Sequence, residues 1–235
     1  MSTVPPVLVG RHLQRLFGTT VALADVSLAI GRGESVAAMG PSGSGKSTLL
    51  HCLAGIEAPD RGQVWLGDER IDDLDERRRT AIRRRRFGFV FQSGHLLPEL
   101  PAVENVALPL MLEGSVRRTA VAEAGRWFAP LGIQGLEHRL PGELSGGQAQ
   151  RVTIARALVT APAVVFADEP TAALDRSTGH DVVALLVAAT RASGAGLLIV
   201  THDPEVAEAC DRVVVLRDGA LAGGPGAMLE PAVRP

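Results

Sequence analysis

The sequence predicts an α/β fold in which helices pack on both faces of a mainly parallel sheet. Two observations predict it: short apolar, β-branched runs alternate with longer segments of helical pattern, and several of these runs end in polar residues. The chain has 235 residues, which is long enough to bury a sizeable core. We therefore expect a single domain of this class.

The first predicted element is a buried strand at Ser35–Met39, followed by a glycine loop and a helix that begins around Ser47. Further strands are predicted at Val64–Leu66, Phe87–Phe91, Ala163–Ala167, Leu197–Thr201 and Val213–Leu216. The stretch from about 93 to 160 is helical in pattern and interrupted by prolines, which predicts a helical subdomain inserted in the core. The core then spans about 1–92 and 161–222, and 223–235 is predicted to be a loose tail.

Composition excludes several classes of protein. The formal net charge is −2, so no global basic field indicates a nucleic-acid partner. The longest uninterrupted apolar run, Val182–Ala189, is far shorter than the roughly 18 residues that a membrane span needs. The first residues lack the features of a signal peptide, and two cysteines build no disulfide framework. We expect a soluble, cytoplasmic chain that serves a membrane only through a partner.

The stretch Gly40-x-x-x-x-Gly45-Lys46-Ser47 follows a predicted strand and opens a predicted helix, and Lys46 is the only lysine in the chain. Glycines let successive backbone N–H groups surround phosphate oxygens, and a compact ammonium fits inside such a loop better than a guanidinium. A flexible glycine-serine turn is the plainer alternative. The residues predicted to bind phosphate are Gly40, Pro41, Ser42, Gly43, Ser44, Gly45, Lys46, Ser47 and Thr48, which we call the glycine loop.

The apolar run that begins at Val164 ends in two adjacent carboxylates, Asp168 and Glu169. Asp168 is placed to support Mg²⁺ together with the Ser47 hydroxyl, while Glu169 is placed to polarise an attacking water. A kinase passes phosphate to a bound acceptor and needs no carboxylate aimed at water, so the pair favours hydrolysis. An exposed acidic strand end is the alternative.

A second Ser-Gly-Gly turn lies within Leu144–Arg151, at the start of a predicted helix. Its geometry is again that of an anion site, but it contains no lysine. One chain thus carries two half-sites for phosphate. We call Ser145, Gly146, Gly147 and Gln148 the signature turn.

With these motifs, the chain resembles the ATP-binding cassette (ABC) family. GPSGSGKST, Gln92, LSGGQ, FADEPT, the ALD of 173–175 and His202 occur in the family's order, and the match covers essentially the whole chain. The resemblance implies a P-loop NTPase (RecA-like) core with a small N-terminal antiparallel β part and an inserted helical subdomain. It also implies a homodimer of cassettes that face head to tail, with each ATP between the glycine loop of one subunit and the signature turn of the other.

The resemblance also implies roles for single residues. Glu169 becomes the general base, Asp168 supports the metal, and His202 steadies the γ-phosphate. Gln92 contacts Mg²⁺ and water and senses the membrane partner. Ser145 and Gly147 of the signature turn cap the γ-phosphate from across the interface, and Asp175 links the two sites.

Three residues have plainer alternatives. Phe17 lies where the family has an aromatic ring that stacks on adenine, but it could equally belong to the core. Gln92 could be a polar strand terminus. His202 could be one more ordinary histidine, although its place at a strand end favours a site.

The arginine-rich run 77–86 could indicate nucleic acid, but the acidic residues before it nearly cancel its charge. Spacings such as Asp73/Arg77 and Asp75/Arg79 fit i,i+4 ion pairs. We predict a solvated, self-paired helix, with the rim of a groove for a membrane partner as the alternative.

The stretch GFVFQSGHLLPELPAVENVALPL is most similar to cassettes of the macrolide-exporter, lipoprotein-releasing and cell-division group. Pro101, Ala149 and TAALD depart from that group's usual threonine, glutamine and TGNLD. A soluble ABC protein of DNA repair or translation is the rival, but such proteins usually carry two cassettes or a long coiled-coil insert. The resemblance thus implies an ATPase subunit, peripheral on the inner face of the membrane, that drives a separately encoded permease in export or mechanical coupling.

Overall fold

The computed structural model describes residues 5–222, so the predicted loose tail at 223–235 lies outside the described residues. In chain order the elements are β1 (Leu8–Phe17), β2 (Thr20–Ile30), β3 (Ser35–Met39), α1 (Lys46–Leu53), β4 (Arg61–Leu66), β5 (Glu69–Arg70), α2 (Glu76–Arg86), β6 (Phe87–Phe91), α3 (Ala102–Leu112), α4 (Arg117–Gly125), a 3-10 turn (Pro141–Glu143), α5 (Gly146–Leu158), β7 (Val164–Asp168), α6 (Arg176–Ser193), β8 (Gly196–Thr201), α7 (Pro204–Glu208), β9 (Arg212–Arg217) and β10 (Ala220–Leu221).

The strands form two sheets. The smaller is antiparallel, with the order β2-β1-β4-β5, and the larger has the order β10-β9-β3-β8-β7-β6. Strands β9, β3, β8, β7 and β6 are parallel, and β10 adds an antiparallel edge. The predicted α/β class, with its small N-terminal antiparallel part, is confirmed.

The parallel register brings the carboxyl ends of four strands to one edge of the large sheet. Met39 pairs with Thr201, Val200 pairs with Asp168, and Asp168 pairs with Phe91. Parallel α/β sheets bind ligands at this edge, because the loops after the strands converge there. The residues that directly follow these strands are Gly40, Gln92, Glu169 and His202.

Two apolar cores cover the two faces of the large sheet. Along β7, Val165 and Ala167 pack with α5, α6 and the helices of residues 102–125, whereas Val164 and Phe166 pack with α1 and the small sheet. All four side chains are buried, so β7 reads as a continuous apolar run rather than as an alternating one. Burying each large aliphatic or aromatic side chain contributes roughly 1.5–3 kcal/mol.

The strands predicted at Ser35–Met39 and Phe87–Phe91 are confirmed at those bounds, and the last three agree to within one residue at each end. The strand predicted at Val64–Leu66 begins earlier, at Arg61. Strands β1 and β2 were not predicted individually. The pairing of β1 with β2 shifts register between Gly10 and Leu16, and His12 has a positive φ of 52°. The alternation of side chains between the two faces of the sheet, which identifies a strand in a sequence, is therefore interrupted.

Between β6 and β7 the described chain is helical and contains no strand, as the pattern predicted. Helix α3 packs on both α4 and α5, and α5 packs on β6. Among residues 5–222, no helix has the length and apolar character to cross a membrane.

Helix α2 is solvated as predicted, because none of its residues is buried. The predicted ion pairs Asp73/Arg77 and Asp75/Arg79 are wrong. The helix begins only at Glu76, so residue 73 lies outside it and Asp75 caps it by accepting a hydrogen bond from the Arg78 backbone N–H. Glu76 is the acid that forms ion pairs within the helix. Its Oε2 lies 2.9 Å from Arg79 Nη2, and its Oε1 lies 2.6 Å from Arg83 Nη2.

The end of α2 pairs outside the helix. Arg84 and Arg85 both form ion pairs with Glu113, which follows α3 directly. Part of the arginine run therefore joins the core to the inserted helices.

Candidate functional site

The glycine loop leaves β3 at Met39 and enters α1 at Lys46. Gly45, the residue before the helix, has a φ of 98°, and a Cβ placed on it would lie 2.3 Å from the Ala22 carbonyl oxygen. Only glycine adopts this backbone readily and lets the loop approach β2 so closely. The loop thus presents its backbone N–H groups at a helix N-terminus, where the dipole favours an anion.

Lys46 turns back over the loop that precedes it. Its side chain is buried, and Nζ donates hydrogen bonds to the carbonyl oxygens of Gly40 (2.8 Å) and Pro41 (2.9 Å). An ammonium has three N–H donors, so one remains for a ligand held in the loop. The two carbonyls fix the position of the charge.

Ser44 is the clearest sign that the glycine loop is built for a ligand. The residue is 3% exposed, and its Oγ has no hydrogen-bond partner within the described chain. A buried polar atom without a partner costs about 1–3 kcal/mol, and a phosphate oxygen would remove that cost. The residues present therefore fit a phosphate.

Asp168 ends β7 beside the start of α1. Burial raises the pKa of its carboxyl, while a hydrogen bond from the Ser47 hydroxyl and the nearby charge of Lys46 act in the opposite direction. A carboxylate beside a hydroxyl at the mouth of a phosphate loop is a donor set that suits Mg²⁺.

Glu169 is held in a strained backbone conformation by the neighbouring strand β8. Its φ is 45°, a region that costs a non-glycine residue of the order of 1–3 kcal/mol, and its N–H donates to the Val200 carbonyl at 3.0 Å. The carboxylate accepts hydrogen bonds from Thr201 Oγ1 (3.1 Å) and from the His202 backbone N–H (3.1 Å), and His202 Nδ1 lies 2.7 Å from Oε1. This carboxylate is therefore oriented before any ligand arrives.

Gln92 is exposed and directly follows β6, whose last residue Phe91 pairs with Asp168. Its backbone therefore lies beside the two carboxylates. Both interpretations of Gln92, a ligand-binding side chain and a polar strand terminus, fit this position.

The signature turn begins α5 at the surface. Ser145 Oγ accepts from the Gln148 backbone N–H at 3.2 Å, and Gln148 Oε1 accepts from the Ser145 N–H at 2.9 Å, which is a reciprocal cap. A Cβ on Gly147 would lie 2.5 Å from Thr178 Cγ2, so the turn fits closely against the start of α6.

Asp175 caps that same start of α6. It accepts hydrogen bonds from the Thr178 backbone N–H (3.0 Å) and from Ser177 Oγ (2.7 Å). Hydrogen bonding by the Thr178 side chain, by the Thr178 backbone N–H and by the Ser177 hydroxyl holds the pKa of the Asp175 carboxyl well below its usual range. Asp175 and the signature turn thus share one corner of the surface.

Phe17 ends β1 with 47% of its surface exposed, so the core alternative does not fit. The Arg15 guanidinium carbon lies 4.9 Å from the ring centroid, which leaves the opposite face of the ring for another planar group.

The predicted site residues fall into two groups. The glycine loop, Asp168, Glu169 and His202 meet at the edge of the large sheet, while the signature turn and Asp175 form the second corner. Within residues 5–222, no hydrogen bond or ion pair joins the signature turn to the glycine loop. A cavity of about 520 Å³ lies between α6 and α7, beside Glu169 and Asp175.

Sequence reasoning missed two polar residues of α5. The Gln150 side chain donates to carbonyl oxygens next to Gln92 and Glu169, and Arg156 donates to those of Gly94 (2.5 Å) and His95 (2.8 Å). Both lie among the apolar positions of an amphipathic helix, and polar residues on a buried face were the signal that could have found them.

Comparisons with known proteins agree with this geometry. A family model described as "ABC transporter" matches residues 23–172. The lipoprotein-releasing system ATP-binding protein LolD of Bordetella pertussis is 46% identical over 220 residues, which are 92% of this chain and 95% of that protein. The macrolide export ATP-binding/permease protein MacB of Bradyrhizobium diazoefficiens is 48% identical over 220 residues, which are 92% of this chain but 34% of that protein.

Two solved structures are also similar. The dimeric structure of MJ0796, a bacterial ABC transporter cassette, is 37% identical, covers 91% of this chain and 96% of that one, and has a TM-score of 0.81. The dimeric post-hydrolysis state of the same cassette, bound to ADP and Pi, gives the same values.

Proposed function

This chain belongs to the ABC transporter family, and we propose that it is the subunit that binds and hydrolyses ATP to drive a separately encoded membrane permease. One observation carries the proposal. The Ser47 hydroxyl, at the mouth of the glycine loop, lies near Asp168 and lowers the pKa of that carboxyl, and the oriented carboxylate of Glu169 follows directly. A phosphate site and a carboxylate for activating water thus lie at one edge of the sheet.

The glycine loop would hold the β- and γ-phosphates. Lys46 contributes a buried positive charge, Ser44 Oγ gains its missing partner, and the N-terminus of α1 adds backbone donors. The exposed ring of Phe17 would stack on the adenine, with Arg15 on its other face.

Ser47 and Asp168 would hold Mg²⁺, with Gln92 as a further ligand from the neighbouring strand end. Among residues 5–222, no group of three or more His, Cys, Asp or Glu side chains is placed to hold a metal. A metal that takes one carboxylate and completes its shell with phosphate oxygens and water fits such a site. When bound, Mg²⁺ neutralises charge on the phosphate oxygens.

Hydrolysis would use Glu169 as the general base. Its carboxylate takes a proton from the attacking water while the water oxygen bonds to the γ-phosphorus and the bond to the leaving ADP oxygen breaks. Thr201 and His202 orient that carboxylate, and His202, which is largely exposed, would steady the γ-phosphate from the same strand end.

The signature turn would complete the site from a second copy of the chain. Ser145 and Gly146 are exposed at a helix N-terminus, and Asp175 lies beside them. A head-to-tail homodimer forms two such sites at once, and the dimeric MJ0796 cassette is a precedent for the arrangement. We place the dimer on the inner face of the membrane, attached through the permease.

The identities to LolD and MacB support the exporter or mechanically coupled group. The rival function, a soluble ABC protein of DNA repair or translation, is not favoured, because these relatives are named as parts of release and export systems.

Phosphate release from ATP by the purified chain tests this proposal. We expect turnover with Mg²⁺, loss of turnover in EDTA, and none for Lys46→Ala in either condition. A multi-spanning membrane protein should co-purify with the chain from detergent-solubilised membranes. Absence of Mg²⁺-dependent turnover from both the free chain and the co-purified complex would refute the assignment.

A further inference from the structure

Gln150 is a buried amide that touches two of the catalytic segments. It lies on α5, five positions after Ser145, and is 4% exposed. Its Nε2 donates hydrogen bonds to the carbonyl oxygens of Phe91 (3.1 Å) and Pro170 (2.8 Å).

Those two carbonyls adjoin the residues that act on water and metal. Phe91 directly precedes Gln92, and Pro170 directly follows Glu169. Strands β6 and β7 pair only as far as Phe91 and Asp168, so no backbone ladder joins the two chain segments beyond that point. Beyond the end of the ladder, the two hydrogen bonds of the Gln150 amide connect the two segments.

The two bonds need a particular kind of side chain. Both partners are carbonyl oxygens, so the group between them must supply two N–H donors, and a buried primary amide does so without bringing a charge. Since its helix begins at the signature turn, the same residue also links that turn to both segments.

We propose that Gln150 is a positioning residue for ATP hydrolysis, which holds the backbone at Gln92 and at Glu169 in a fixed relation. The inference rests on the function proposed above. Gln150 acts by placing the general base Glu169 and the proposed metal ligand Gln92. The Gln150 side chain touches neither the glycine loop nor Phe17.

Gln150→Leu is the first test. Loss of both donors should lower kcat roughly tenfold to a hundredfold, because small displacements of a general base are costly. KM for ATP should stay within about threefold, since the groups that bind nucleotide are untouched.

Arg151→Leu is the matched control. Arg151 is the next residue on α5 and likewise donates to a carbonyl, that of Leu131 at 3.0 Å, but it contacts neither catalytic segment. It should lower the melting temperature and leave kcat nearly unchanged. A leucine variant of Gln150 with no larger loss of kcat than this control would overturn the proposal.

Gln150→Glu gives a readout that a merely structural role would not move. The carboxylate would face two carbonyl oxygens in a buried site, which raises its pKa, whereas the protonated acid keeps one O–H donor. Activity relative to wild type should therefore rise as pH falls from about 8.5 to about 6, while the ratio for Arg151→Leu stays flat.

The outcomes separate the two proposals. If wild type shows Mg²⁺-dependent turnover and the activity of Gln150→Glu relative to wild type does not change with pH, the positioning role is contradicted and the proposed function is not. The Gln150→Glu variant decides the question if Gln150→Leu does not fold. Absence of turnover in wild type contradicts the proposed function and this inference with it.

Discussion

Glu169 and His202 meet twice at one oxygen: the His202 backbone N–H lies 3.1 Å from Glu169 Oε1, and the His202 ring Nδ1 lies 2.7 Å from it. With Thr201 on Oε2, three groups at the end of β8 orient one carboxylate at the end of β7. The residue proposed as general base is therefore placed by the adjacent parallel strand rather than by its own.

Glu169→Gln should retain ATP binding and lose turnover by about a hundredfold or more, because the amide keeps the shape of the side chain but accepts no proton. Phosphate release and binding of a fluorescent ATP analogue measure the two quantities. Glu69→Gln, at the exposed strand β5, is the control and should match wild type. Near wild-type hydrolysis by Glu169→Gln would refute the general-base assignment.

Phe17→Ala should raise KM for ATP roughly tenfold with little change in kcat. Stacking stabilises the bound substrate and the transition state equally, so its loss appears in KM. The ring is 47% exposed, so the melting temperature should barely change. Leu16→Ala is the matched control, at 44% exposure on the same strand. An unchanged KM would remove Phe17 from the nucleotide site.

A mixture of Lys46→Ala and Ser145→Arg chains should recover part of the turnover that each variant lacks alone. The mixed dimer joins the intact glycine loop of one chain to the intact signature turn of the other at one site. Steady-state phosphate release at several mixing ratios measures the recovery.

Two further results bear on the same composite site. Specific activity should rise with protein concentration, and Glu169→Gln with ATP should elute from a sizing column as a dimer, because ATP binds the closed pair better than the monomer. Flat specific activity together with a monomeric elution would refute the shared site.

Asp175→Ala should lower the melting temperature at pH 7, because α6 loses its N-terminal cap. The folded-state pKa of Asp175 lies below its ordinary value of 3.8, so its stabilising effect is complete above that value and is lost as pH falls through the folded pKa. The gap between wild type and Asp175→Ala in thermal unfolding should therefore narrow below about pH 4. Asp175→Asn keeps an uncharged cap, so its stability should lack this pH dependence, and an equal gap at pH 7 and pH 3 would contradict the role.

Much of the candidate site could be predicted because many of its functional groups lie in short, continuous segments of the chain. The spacing from Gly40 to Ser47, the strand that ends at Asp168 and the helix start at Ser145 each need only local backbone geometry. The resemblance to a family added the distant residues Gln92 and Asp175, which no local pattern distinguished from ordinary strand or helix ends. It also gave a role to His202, whose place at a strand end already favoured a site.

The sequence by itself thus determined the phosphate loop, the paired carboxylates and the α/β class. Only the tertiary structure decided which groups orient Glu169 and which acids pair with the arginines of α2. It also decided that Gln150 joins β6 to the segment after β7. These contacts link residues far apart in the chain, 33 for Glu169 with His202 and 59 for Gln150 with Phe91. Their existence depends on the register of parallel strands and on the seating of α5. No local hydrophobic period encodes such pairings, because a buried donor is satisfied by whichever carbonyl the folded chain brings to it.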